Sequence, residues 1–294
     1  VNDEMKPFVL KGEELVNAYI QDGKTDYKTL AEQLKDQNSQ LIKSCTMGGK
    51  SHDELHKWLH PHLKTVEELE YLRKDINTGL AFLKKLKTAT PYIKIGPRLY
   101  ALGGINFAKE IIDMGYKLFL DLKLHDIPNT VASAVEPLSQ IGLWALTIHT
   151  SGGYEMMARS VAMREKMGSN MNLFGITVLT SLSGKEWSDV HPKTEIQEAL
   201  ISRAETAERA GLDGLVCSPL DLHLLQDKAK GLMRVVPGIR AAKVSTEDQA
   251  RIATAAEAAT AGANYIVVGR PILEANDPIN ATKNIIEILS KVKR

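Results

Sequence analysis

Cysteine, aromatic residues and net charge are all scarce in this chain, and each scarcity closes off a class of protein. Two cysteines, Cys45 and Cys217, in 294 residues cannot build the disulfide framework of a secreted scaffold, so a reducing, cytoplasmic compartment is expected. The 37 Lys and Arg nearly cancel the 36 Asp and Glu. With only 5% aromatic residues and no basic run interleaved with them, nucleic acid is not an expected partner. The longest apolar runs are strand-sized, far short of a membrane span, and the opening Val-Asn-Asp-Glu-Met-Lys holds no hydrophobic signal region. Internal repeats and low-complexity tracts are also lacking. What remains is 44% hydrophobic and 25% charged, an ordinary globular composition, long enough for one large domain or two.

From about residue 90 onward, short β-rich runs alternate with helical stretches. The runs are Tyr92–Gly96, Lys117–Lys123, Trp144–Thr150, Leu173–Thr180, Gly214–Ser218, Arg234–Ile239 and Tyr265–Gly269. Between them lie helical patterns such as Ile105–Met114, Thr194–Ala210 and Thr254–Ala261. This spacing predicts right-handed βαβ units and a parallel sheet. The count is one strand short of a closed (β/α)8 barrel, so the first strand is either displaced upstream or missing.

The first 89 residues lack this alternation. Leu10–Asp22, Tyr27–Ser44, Ser51–Leu59 and Thr65–Leu86 read as four helices, a small bundle. Ser51 with Glu54 and Thr65 with Glu68 have capping-box spacing. The expected division is therefore a helical bundle over 1–89 and a barrel over 90–294.

Residues 120–130, Leu-Asp-Leu-Lys-Leu-His-Asp-Ile-Pro-Asn-Thr, carry the densest chemistry. Asp121 and Lys123 alternate with leucines and so share one face of a strand. Asp126 follows just past the strand end, where Pro128 and Asn129 break regularity. Two carboxylates and an ammonium at the end of a buried strand form a charged site that folding alone does not favour. Barrel chemistry sits at the carboxyl ends of the strands, which adds Lys94, His149, Ser151, Thr180, Ser181, Arg240 and Arg270 as candidates. Gly269 lets backbone N–H groups approach an anion, and Arg270 offers a bidentate fork for phosphate.

These residues resemble the orotidine 5′-phosphate decarboxylase family. The Asp-Leu-Lys-Leu-His-Asp-Ile-Pro-Asn-Thr segment looks like that family's signature nearly letter for letter. Around it, in the family's order, stand Tyr92-Ile-Lys-Ile-Gly, His149-Thr-Ser-Gly-Gly, Val178-Leu-Thr-Ser, Gly211-Leu-Asp-Gly-Leu-Val-Cys-Ser, Pro237-Gly-Ile-Arg, Asp248-Gln249 and Val268-Gly-Arg-Pro-Ile. The resemblance implies cofactor-free decarboxylation of orotidine 5′-monophosphate to uridine 5′-monophosphate, in pyrimidine synthesis. Lys123 would protonate C6 of the pyrimidine. Asp121 would sit beside the substrate carboxylate, with Lys94 holding Asp121 and the ribose hydroxyls. Asp126 would reach across a homodimer interface. Thr130, Thr180 and Ser181 would line the nucleotide pocket, while Pro237, Arg240, Gln249, Gly269 and Arg270 would hold the phosphate end beneath a closing loop at 240–249.

The family's first strand ends in Ala-Leu-Asp, and this chain has no such motif. Asp75 and the run Phe8-Val-Leu-Lys are two placements for that strand, and outright loss is the third. A second departure is the histidine cluster. His52, His56 and His60 recur at helical spacing, and Cys45 lies just upstream, a set that suits a transition metal. The same residues fit a half-buried helix packed through Trp58. In its Gly-x-x-His pattern and helix lengths the segment is similar to small helical domains of bacterial periplasmic metal-efflux proteins. Two other functions therefore stand beside decarboxylation: a catalytically impaired nucleotide-binding barrel, and a metal-binding helical module fused to it.

Overall fold

Continuous buried runs such as Leu118–Asp121, Ala145–Ile148 and Leu173–Ile176 place the sheet, as expected of parallel strands covered on both faces. In the computed structural model, which describes residues 6–21, 27–43, 76–240, 252–273 and 275–292, seven strands occupy the seven β-rich runs. They are β1 (Tyr92–Ile95), β2 (Lys117–Leu124), β3 (Ala145–His149), β4 (Asn172–Ile176), β5 (Gly214–Val216), β6 (Met233–Val236) and β7 (Tyr265–Ile266). All pairs are parallel and the spatial order is β1-β2-β3-β4-β5-β6-β7. Sequential order in a parallel sheet is the winding of a (β/α) barrel. Among the described residues no eighth strand joins β1 to β7.

The strands are joined by helices. From residue 76 onward they are α3 (Ile76–Leu86), α4 (Pro97–Asp113), α5 (Pro128–Ser139), α6 (Gly153–Lys166), α7 (Gly184–Val190) and α8 (Ile196–Arg209). The rest are α9 (Leu222–Leu225), α10 (Ala255–Thr260), α11 (Arg270–Leu273) and α12 (Pro278–Lys291). Gly104, at φ +56°, interrupts α4, so the expected helix at 105–114 is its second half. Thr254 and Glu257 close a capping box at the start of α10, which satisfies two otherwise orphan N–H groups.

Inward-facing rings fill the amino-terminal end of the barrel. Phe119 and Phe174 meet edge-on with centroids 5.6 Å apart. Trp144 contacts Tyr92 at 4.9 Å and Tyr265 at 4.8 Å. Tyr92 on β1 and Tyr265 on β7 are themselves 5.6 Å apart, so side chains bridge the floor between these two strands, which no strand among the described residues joins. Edge-on aromatic contacts add roughly 0.5–1.5 kcal/mol each beyond area burial. Gly214 starts β5 because a Cβ there would stand 2.7 Å from the Met233 carbonyl oxygen and 2.9 Å from the Phe174 ring.

The chain divides into two compact units, 1–81 and 82–294. Within the second, the end of α3 is tied to the barrel: the Tyr116 hydroxyl donates to the Leu83 carbonyl at 2.6 Å, and Leu83 and Leu86 are buried. In the first unit, α1 (Lys6–Gln21) and α2 (Tyr27–Lys43) pair through Leu30 and Leu34 against Leu15, Val16 and Tyr19. Phe8-Val-Leu-Lys lies inside α1 and is helical, so it is not the barrel's first strand. Asp75 and the expected helix at 51–59 lie outside the described residues.

Candidate active site

One side of the barrel's carboxyl end is a bonded cluster. Residues two apart on a strand share a face, and Phe119, Asp121 and Lys123 follow that period on β2. Asp121 Oδ2 takes the Lys94 ammonium from β1 at 3.0 Å, and Oδ1 takes the Lys123 ammonium at 2.9 Å. The Thr147 hydroxyl on β3 donates to the same Oδ1 at 3.0 Å and accepts the Lys123 backbone N–H at 2.8 Å. Burial raises the Asp121 carboxyl pKa, but the charges and hydrogen bonds of Lys94 and Lys123 outweigh it and leave the group below its usual 3.8.

Two ammonium groups share one carboxylate, so the cluster carries an excess positive charge. Asp121 is 12% exposed, Lys94 30% and Lys123 35%, open enough for an anion to reach the lysines. Lys123 also has a left-handed backbone, φ +53°, which costs about 1–3 kcal/mol in a non-glycine residue and persists only where the surroundings impose it.

His149, at the end of β3, sits beside this cluster. Its ring stacks on His125 with centroids 5.0 Å apart and 19° between planes. Burial, then the nearby charges of His125, Arg203 and Lys123, push its pKa from 6.5 down to about 4. Neutral at pH 7, its Nδ1 accepts from the Ser151 hydroxyl at 2.5 Å and from the Ser151 N–H at 3.3 Å.

The remaining predicted residues are placed as follows. Asp126 is exposed and its Oδ1 accepts the Ile127 N–H at 2.6 Å. Thr130 is exposed in the first turn of α5. Thr180 and Ser181 lie in a turn rather than on a strand, because β4 ends at Ile176. Pro237 and Arg240 follow β6, and the Arg240 N–H donates to Ala253 at 2.9 Å while the Ala253 N–H donates to Gly238 at 3.2 Å. These bonds join the two ends of segment 241–251, which contains Gln249 and lies outside the described residues. Gly269 precedes Arg270, the first residue of α11, and a Cβ at Gly269 would enter open space. The metal candidates His52, His56, His60 and Cys45 also lie outside the described residues; among those described, no group of three or more His, Cys, Asp or Glu could hold a metal ion.

Sequence reasoning missed Thr147. Its position was legible, since the period that groups Asp121 with Lys123 also groups Thr147 with His149 on β3, but its role depends on the register shift between β2 and β3. No helix among the described residues is long and apolar enough to cross a membrane.

Residues 73–285 match the family described as Orotidine 5'-phosphate decarboxylase / HUMPS family. The orotidine 5'-phosphate decarboxylase of Opitutus terrae is 42% identical over 205 residues, covering 69% of this chain and 89% of that protein. The Vibrio parahaemolyticus enzyme is 38% identical over 214 residues, covering 72% and 92%. The crystal structure of orotidine 5'-phosphate decarboxylase from Lactobacillus acidophilus superposes with a TM-score of 0.62 at 32% identity, covering 71% of this chain and 93% of that one. That from Methanocaldococcus jannaschii, complexed with the inhibitor BMP, shares the fold at TM-score 0.60 and 20% identity. The family match begins at residue 73, so the likeness of the first segment to metal-efflux domains draws no support from it. By this match and by relatives near 40% identity across most of its length, the chain belongs to the orotidine 5'-phosphate decarboxylase / HUMPS family.

Proposed function

We propose that this protein decarboxylates orotidine 5′-monophosphate to uridine 5′-monophosphate without a cofactor, as a homodimer in the cytoplasm. The observation that carries the reading is the Lys94–Asp121–Lys123 arrangement at the end of β1 and β2. Loss of carbon dioxide leaves its bonding electron pair on C6 of the pyrimidine. The ring delocalises that charge poorly, so stabilisation must come from a fixed cation and then a proton. Lys123 supplies both: its ammonium stands near the developing charge and transfers a proton to C6, and the amine left behind recovers a proton from water.

Asp121 keeps the Lys123 and Lys94 ammonium groups aimed. Lys94 also meets the ribose hydroxyls. Thr130, Thr180 and Ser181 line the pocket; Pro237, Arg240, Gln249, Gly269 and Arg270 hold the phosphate. Grip on the phosphate, remote from the reacting carbon, supplies binding energy for the chemical step. Asp126 projects into the site of the second protomer, a role favoured by its exposure and by the exposed apolar Ile127 beside it. The catalytic barrel occupies the second unit, from residue 82, and α1 and α2 belong to an N-terminal helical addition.

A second reading, a barrel that binds the nucleotide without turning it over, is favoured by one feature: among the described residues nothing pairs with the outer edges of β1 and β7. Parallel assays separate the two. Loss of pyrimidine absorbance on adding orotidine 5′-monophosphate supports the decarboxylase. Uridine 5′-monophosphate binding in calorimetry, with no turnover, supports the impaired barrel.

A further inference from the structure

Lys123 aims its ammonium from a backbone conformation that a long side chain disfavours. Its φ is +53°, and the β2–β3 pairing shifts register between Leu120 and Leu124, across this residue. A bulge of this kind re-aims a side chain, and left-handed backbone survives only where neighbouring groups impose it. One neighbouring group does so from outside β2. Thr147 is fully buried on β3; its hydroxyl accepts the Lys123 N–H at 2.8 Å and donates to Asp121 Oδ1 at 3.0 Å. A hydroxyl has one proton to give and two lone pairs, so these two bonds fix its rotation. The same Oδ1 holds the Lys123 ammonium at 2.9 Å. Both ends of Lys123, amide and ammonium, are thus tied to the Thr147–Asp121 pair.

We propose that Thr147 is a positioning residue: it latches the left-handed backbone of Lys123 to the Asp121 carboxylate and so sets where the Lys123 ammonium stands. It acts through Lys123 and Asp121. The kinetic part of this inference rests on the decarboxylase reading; the latch itself does not.

Two substitutions separate a latch from simple filling of buried space. Thr147→Val keeps the volume and removes the hydroxyl, whereas Thr147→Ser keeps the hydroxyl and removes a methyl. Core filling predicts a harmless valine and a costly serine, and the latch predicts the reverse. Thr147→Ala serves as a second hydroxyl-free variant. The measurements are kcat and KM on orotidine 5′-monophosphate, and the titration of the Asp121 carboxyl by carbon NMR. The expected result for Thr147→Val is a kcat lower by roughly 10²-fold, the scale on which a displaced reacting group costs rate, with KM nearly unchanged. Its Asp121 titrates higher than in the wild type, because a hydrogen bond to the charged form is lost. Thr147→Ser restores both values. Wild-type kcat and an unmoved Asp121 titration in the hydroxyl-free variants would overturn the latch, as would a serine variant as impaired as valine. A wild-type chain that does not decarboxylate defeats the functional reading instead, and the Asp121 titration then decides the latch alone.

Discussion

β2 runs for eight residues and β7 for two, yet each leads into residues that the proposed function assigns to one substrate. At β1–β3 the functional groups are bonded to one another: Asp121 holds two ammonium groups and a hydroxyl within 3.0 Å. At β6–β7 the geometry comes from backbone, through the Arg240–Ala253 and Ala253–Gly238 hydrogen bonds and the Gly269 turn into α11. Under the proposed function, the difference matches what each side would have to do. A cation facing a developing carbanion gains most from being fixed beforehand. A phosphate, already fully charged in the ground state, can be gripped as a loop closes over it.

If that contrast holds, the two ends respond differently to mutation. Lys123→Ala has the largest expected effect: kcat falls by at least about 10²–10⁴-fold, the usual contribution of a positioned proton donor, while binding of uridine 5′-monophosphate in calorimetry persists. Arg270→Ala comes next and acts through KM. It lowers kcat/KM by about 10- to 100-fold, equivalent to one charged hydrogen-bonding contact, and adding salt weakens binding further in the wild type than in the variant. Equal effects of both substitutions on kcat would erase the distinction.

His149→Phe has the smallest effect and tests the cluster's electrostatics. The native ring stays neutral down to about pH 4, whereas the unfolded ring protonates near 6.5. The unfolded chain therefore binds the extra proton first, and the wild type loses stability as pH falls from 6.5 toward 4. Phenylalanine keeps the stacking on His125 and abolishes that slope. Thermal melts across this pH range read the difference, and parallel curves for the two proteins would contradict the assignment.

All seven strands were legible because each is a short β-rich run between helical patterns. Their ends were not. The run at 173–180 loses ladder partners early: β5 is three residues long, and after Ile176 the Thr177 N–H and hydroxyl both turn to the Val216 carbonyl. Asp121 and Lys123 announced themselves because a charge in a buried run is expensive. Thr147 did not, since threonine is a common strand residue and its importance depends on a bulge in the neighbouring strand. That bulge is a register shift between β2 and β3, which no local pattern encodes. The helical placement of Phe8-Val-Leu-Lys within α1 follows from the 3.6-residue recurrence of Val9, Leu15, Val16 and Tyr19, which outweighs a run of three apolar residues.

The most direct test follows carbon dioxide released from carboxyl-labelled orotidine 5′-monophosphate by the full chain, beside the Lys123→Ala variant. Steady release by the wild type that collapses in the variant is the predicted result. No release by the wild type, or equal release by both proteins, would contradict the assignment of Lys123 as the proton donor of a working decarboxylase.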